Sequence, residues 1–124
     1  MRSPSIEFKL NSNSSCLEIL PEEKLDDDTI ELIGKKIKDL ESLAIPNNNI
    51  NKTNFHYITD YLKDNKTLRY LNLSGNRIGD ESLRYLFEKI EYTEIKYIDL
   101  SFNMISDKGA RAIESLVFRK KKQN

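Results

Sequence analysis

The chain lacks most of the features that would tie it to a known chemistry. One cysteine, Cys16, stands among 124 residues, so no intramolecular disulfide can form, and a reducing compartment is the simpler expectation. No apolar run approaches the ~20 residues that a bilayer-spanning helix needs. The opening stretch, Met1 to Lys9, has no apolar core of the signal-peptide kind. These absences point to the cytoplasm, although secretion as an effector or entry into a nucleus is not decided by the residues. Neither sign of charge is in excess: 20 Lys and Arg face 20 Asp and Glu. That balance argues against steering toward nucleic acid and against an anionic membrane. A mean hydropathy of −0.62 with 32% charged residues suits a soluble domain with a large surface and a thin core.

Catalytic equipment is equally scarce. His56 is the only histidine, and no metal cluster surrounds it, so it is expected to be structural or at the surface. Cys16 has no basic neighbour in sequence and is expected to be a buried, inert thiol. Asp26, Asp27 and Asp28 read as helix N-terminal acids rather than a cation site. Ser74-Gly75-Asn76-Arg77-Ile78-Gly79 holds two glycines but lacks the Gly-Lys-Ser/Thr ending of a phosphate loop. No nucleophile–base pairing is apparent. The sequence therefore predicts no enzyme, no cofactor, no metal and no small-molecule substrate.

What the chain does have is a repeat. Leu40-x-x-Leu43-x-Ile45-x-x-Asn48-x-Ile50 recurs as Leu68-x-x-Leu71-x-Leu73-x-x-Asn76-x-Ile78 and as Ile95-x-x-Ile98-x-Leu100-x-x-Asn103-x-Ile105, at spacings of 27 to 28 residues. Within a unit the first half alternates apolar and polar residues, the period of a strand with one buried face. Leu71 and Leu73 point inward; Tyr70, Asn72 and Ser74 point outward. The chain then turns at Ser74-Gly75-Asn76. Asp80 is placed to cap a helix, on which Leu83, Leu86, Phe87 and Ile90 form one face. The following unit repeats the plan with Ile98 and Leu100, a cap at Asp107, and Ala110, Ile113, Leu116 and Val117. The preceding unit offers Leu43 and Ile45, then Phe55, Ile58 and Leu62. A strand plus a helix cannot bury its apolar face alone, so the units must stack into one core over a parallel sheet.

The first unit is degenerate. Leu17 and Ile19 are strand positions, and Ile30, Ile33 and Ile37 a helix face, but a glutamate (Glu22 or Glu23) sits where the asparagine belongs. Ile6, Phe8 and Leu10 alternate with Glu7 and Lys9 as a short edge strand, and residues 11–15 form a turn. Asn48, Asn76 and Asn103 end their strands. A buried side-chain amide carries donors and an acceptor, so the three are expected to form a ladder that satisfies backbone groups of adjacent units.

From about residue 14 to residue 118 the chain resembles the leucine-rich-repeat family. The repeat length and the form Asn103-Met104-Ile105-Ser106-Asp107-Lys108-Gly109 are similar to the ribonuclease-inhibitor-like subfamily. Asn76 to Ser82 departs from it by one residue, Ser82 for Gly. Asn48 to Asn54 departs by two, Lys52 for Asp and Asn54 for Gly. The resemblance implies an α/β fold: a short solenoid of about four repeats, with parallel strands on the concave face and helices on the convex face. One domain is expected over 1–118, with an N-terminal cap and degenerate repeat in 1–39, repeats at 40–67, 68–94 and 95–118, and a basic tail at 119–124.

The resemblance further implies a protein partner held by the concave face. The outward strand positions then supply the site: Tyr70 and Tyr97 side by side, Glu18, Asn72 and Asp99 in the next column, Ser74 and Ser101 in the third. Ser42, Ala44 and Pro46 continue the columns. Arg69, Arg77, Lys96, Phe102 and Met104 flank them. Exposed paired tyrosines are effective anchors, or they only shield the sheet. No C-terminal cap is evident after Val117-Phe118, where Arg119-Lys120-Lys121-Lys122 begins a basic tail. An uncovered parallel edge invites pairing: the strand at 95–100 belongs to a longer solenoid, or is shielded by the tail, or forms a homo-oligomer. Self-association through that edge is the alternative function, as a structural or assembly protein.

Overall fold

The computed structural model describes residues 15–111 and 113. The edge strand expected at Ile6–Leu10, the helix positions Leu116 and Val117, and the basic tail lie outside them. The described residues hold four short strands, β1 (Cys16–Glu18), β2 (Ser42–Ala44), β3 (Tyr70–Asn72) and β4 (Tyr97–Asp99). They form one parallel sheet in the order β1-β2-β3-β4. Between them lie α1 (Asp27–Lys36) with a 3-10 turn at Ile37–Asp39, α2 (His56–Thr59) and α3 (Asp80–Ile90). Residues 107–111 and 113 are helical after β4. This is the short α/β leucine-rich-repeat arrangement.

Register follows from the repeat. Leu17, Leu43, Leu71 and Ile98 are aligned across the four strands and point to the helices. With Ile19, Ile45, Leu73, Ile50 and Ile78 they form one core, which Ile30, Ile33, Ile58, Leu62, Leu83, Leu86 and Ile90 complete from the helical side. The core is fully buried through the third unit. Ile98, Leu100, Ile105 and Ile113 of the last unit are only partly buried, because no further strand pairs with β4 among the described residues.

Three details correct the sequence reading of the helices. Asp80 does not cap α3: the N-cap position is Gly79, with no side-chain cap bond. The Asp80 carboxylate instead reaches the next unit, where Ser106 N donates to Oδ1 at 2.9 Å and Ser106 Oγ donates to Oδ2. A Cβ on Gly109 would stand 2.3 Å from Asp80 Oδ1. The Asp and Gly positions of successive units therefore pack on each other, which a reading of one unit alone cannot reveal. Asp107 is not the cap either. It is already helical, and Lys108 N donates to Ser106 Oγ at 3.3 Å, so the serine holds that place. Ala110 faces solvent and Gly109 is the buried residue.

The helix of the second unit shrinks to one turn at α2. Asn51 and Asn54 are the cause: Asn51 N donates to Asn54 Oδ1, while Asn54 N and Thr53 N donate to Asn51 Oδ1. Such local side-chain bonds compete with helical ones. Phe55, Ile58 and Leu62 are buried all the same, since the i−3 bonds of Ile58 and Leu62 keep the turns tight. At the start of α1, by contrast, Asp26 is a true cap. Thr29 N and Thr29 Oγ1 donate to its Oδ1 at 2.8 and 2.6 Å.

Candidate functional site

The strand alternation that buries Leu17, Leu43, Leu71 and Ile98 turns their neighbours to the opposite face of the sheet. In register, one row there is Cys16, Ser42, Tyr70 and Tyr97, and the next is Glu18, Ala44, Asn72 and Asp99. Cys16 is exposed, not buried as its chemistry suggested. Leu17 takes the inward position of β1, so the residues on either side must face out. Two residues beyond the second row stand Leu20, Pro46, Ser74 and Ser101. Leu20 is 65% exposed and escaped the sequence reading, because the degenerate first unit concealed its place in the repeat.

Height on this face is uneven. Cys16, Ser42 and Ala44 are small, whereas Tyr70 and Tyr97 stack with ring centroids 5.0 Å apart and planes 9° from parallel. Tyr70 is half-buried between its neighbours. Tyr97, on the last strand, is 55% exposed. Asn72 and Asp99 do the same local work: each accepts a bond at Oδ1 from the backbone N–H two residues on, Ser74 and Ser101, both at 2.9 Å. Asp99 Oδ1 also accepts from Ser101 Oγ at 2.6 Å. The serine hydroxyl and amide hold the Asp99 carboxyl below the usual aspartate range. Glu18 is exposed at the far end of the row.

The flanking residues diverge. Arg69 turns back along the chain, its Nη1 donating to Lys66 O at 3.0 Å. Arg77 is exposed beyond the turn. Lys96 lines a hollow of about 560 Å³ at the β4 end, which Tyr97 and Ser101 border on the side of the sheet face and Phe87, Ile98, Leu100 and Ile105 on the side of the core. Phe102 and Met104 stand out from the same end, 88% and 65% exposed.

Under the strand ends the asparagines join the units. Asn76 Oδ1 accepts from Asn48 N and Ile50 N, at 3.0 and 2.9 Å; its Nδ2 donates to Ile45 O and Leu73 O, both at 2.9 Å. Asn103 accepts from Ile78 N and donates to Leu73 O. Asn48 accepts from Glu23 N and donates to Leu20 O, so the first unit joins the series through its backbone although it has no asparagine. A fourth asparagine, Asn65, was missed. It is buried at the exit of the second unit, accepts from Leu68 N and donates to Ile37 O. The following unit has Thr93 at that place, so a search for repeated asparagines passes over it.

Among the described residues no group of His, Cys, Asp and Glu could hold a metal, and no helix is long and apolar enough to cross a membrane. Residues 64–87 and 93–113 match the family model described as Leucine Rich repeat. No curated protein matches the chain. The family match and the four parallel strands together support a leucine-rich-repeat family.

Proposed function

We propose that this leucine-rich-repeat chain is a protein-interaction module that holds its partner on the outward sheet face, the concave side of a short solenoid. Leucine-rich repeats generally mediate protein–protein interaction, and the family is typically not enzymatic. The observation that carries the choice of face is the stacked Tyr70–Tyr97 pair, which raises a rigid aromatic step over a floor of small residues. Tyrosine provides a large contact area at low entropic cost. Asn72, Asp99, Ser74, Ser101 and Glu18 surround that step as the polar contacts, with Phe102 and Arg77 at its margin. The Asp80–Gly109 packing across units supports the ribonuclease-inhibitor-like subfamily, whose form supplies both positions. The test is photo-crosslinking from the sheet face, with the crosslinker at Ser42. A partner captured by the parent chain and lost with Tyr70→Ala/Tyr97→Ala supports the reading. A partner captured equally by both defeats it.

One observation favours a second reading, self-association through the β4 edge. The 560 Å³ hollow, Phe102 and Met104 gather exposed apolar surface at that end. Light scattering across a concentration series separates the two readings, since only self-association raises the mass with concentration.

A further inference from the structure

We propose that the surface around Tyr97 and Asp99 receives an arginine side chain presented by the protein partner. This rests on the reading of the sheet face as the binding face, and it specifies the chemistry that face selects.

Asp99 provides the first argument. Its turn requires only an acceptor for the N–H two residues on. Asn72, in register on the neighbouring strand, does that work without a charge. The negative charge of Asp99 is therefore not needed by the fold. Both bonds from Ser101 fall on Oδ1, and no bond to Oδ2 is seen among the described residues, so one carboxylate oxygen remains for a ligand. The same Ser101 bonds hold its carboxyl below the usual aspartate range.

Tyr97 provides the second. One ring face is covered by Tyr70 at 5.0 Å. The other looks past the last strand of the sheet, where no described strand follows. Tyr97 and Asp99 share one face of β4 and are separated by two residues of strand rise, about 7 Å. A guanidinium is flat, stacks on an aromatic face and pairs with a carboxylate through parallel N–H bonds. It can satisfy both residues at once, which an ammonium on a flexible stem does less well.

Charge over the whole face agrees. The outward positions of the four strands include two carboxylates, Glu18 and Asp99, and no cation. They end one row, about 14 Å apart by strand spacing. Of the nearby cations, Arg69 is bonded back to Lys66 O, whereas Lys96 lines the hollow at the β4 end beside Tyr97 and Ser101 and adds a positive charge at that margin. Glu41 stands at the strand entry and Arg77 beyond the turn. An apolar or acidic partner would strip water from Asp99 and give nothing in return, and a neutral donor would return a weaker bond than a cation does.

The experiment is selection of a random-peptide display library on the intact chain, followed by affinity measurement on synthetic peptides. The expected result is enrichment of arginine in peptides whose binding needs Tyr97. Replacing that arginine by citrulline, its neutral analogue, should weaken binding roughly three- to thirtyfold. Asp99→Asn should weaken the arginine peptide by a similar factor and leave the citrulline peptide unchanged. The variant is expected to fold, since asparagine already fills this turn at position 72, and its melting curve verifies this. Tyr97-dependent peptides without cationic enrichment, or citrulline peptides that bind as tightly, overturn arginine recognition and leave the sheet face as the binding surface. Peptides indifferent to Tyr70→Ala/Tyr97→Ala overturn both.

Discussion

Tyr70 and Tyr97 come from strands in adjacent units, 27 residues apart in sequence, and their rings lie 5.0 Å apart and 9° from parallel. Such a pair contributes about 0.5–1.5 kcal/mol beyond its buried area. Tyr97 is half in solvent, so the lower part of that range applies. In a double-mutant cycle of Tyr70→Ala and Tyr97→Ala followed by urea unfolding, the expected coupling is about 0.5–1 kcal/mol. The chain should remain folded in all three variants. A coupling indistinguishable from zero would mean that the rings meet without supporting each other.

Asn76 and Asn103 occupy one position of the repeat but not one environment. Asn76 is buried, takes bonds from two amides and gives them to carbonyls of two units. Asn103 is half-exposed and accepts one described amide bond, from Ile78. Removing Asn76 strands buried backbone groups at about 1–3 kcal/mol, whereas water can reach those at Asn103. Urea unfolding should rank Asn76→Ala as clearly more destabilising than Asn103→Ala. Equal losses would contradict the role assigned to burial.

Acid should loosen the stacking of the last two units. The Ser106 hydroxyl, then its amide, hold the Asp80 carboxyl below the ordinary value of 3.8. A depressed folded-state pKa stabilises the fold above the unfolded value, and that contribution fades as pH falls through the folded one. The loss therefore begins near pH 3.8 and grows below it. Asp80 is solvent-accessible, so the effect is modest and screened by salt. In melting curves at successive pH values, Asp80→Asn should show a shallower acid limb than the parent. Identical limbs would rule out the Asp80–Ser106 contact as a source of acid sensitivity.

The repeat was legible because its cause lies within one unit: alternation decides which strand residues point inward, and Leu17, Leu43, Leu71 and Ile98 fell into register as the spacing required. The parallel order of the four strands followed for the same reason. What remained hidden depends on contacts between units. Asp80 looked like a cap until Ser106 and Gly109 of the next unit were seen against it. Cys16 looked buried by its chemistry, whereas its exposure is set by Leu17. Asn65 has no asparagine counterpart one repeat later. The short α2 came from a reciprocal Asn51–Asn54 arrangement that helix periodicity does not register. For the sheet face, the rows were readable as positions, but the acceptor equivalence of Asn72 and Asp99 emerged only from their bonds.

Thr59 marks a small defect in the core. Its side chain is fully buried in α2, and Oγ1 has no hydrogen-bond partner among the described residues. A buried hydroxyl without a partner carries its full desolvation cost. Thr59→Val keeps the branched shape and removes the polar atom, so it should raise stability by about 1 kcal/mol. The measurement is the urea midpoint at unchanged slope. A lower midpoint would reveal that the hydroxyl is satisfied in solution.

Phe102 is the clearest case of a residue that the fold alone does not require. It occupies the turn position held by Asn47 in the second unit and Gly75 in the third, and all three lie in the left-handed region, with φ of 58°, 53° and 70°. Glycine and asparagine enter that region readily; a phenylalanine does so against its Cβ, at about 1–2 kcal/mol. Its ring regains nothing by burial, being 88% exposed. Phe102→Gly relieves the strain and pays back about 0.4–1 kcal/mol in unfolded-state entropy, so a net gain of about 0.5–1 kcal/mol is expected. A higher melting temperature for Phe102→Gly would place the value of this ring outside the folded chain, in contact with whatever the β4 end meets. If the substitution also lowers a concentration-dependent mass, that contact is a second copy; if it weakens only partner capture, Phe102 belongs to the margin of the tyrosine face. A lower melting temperature would show instead that the ring packs in solution and supports the last unit.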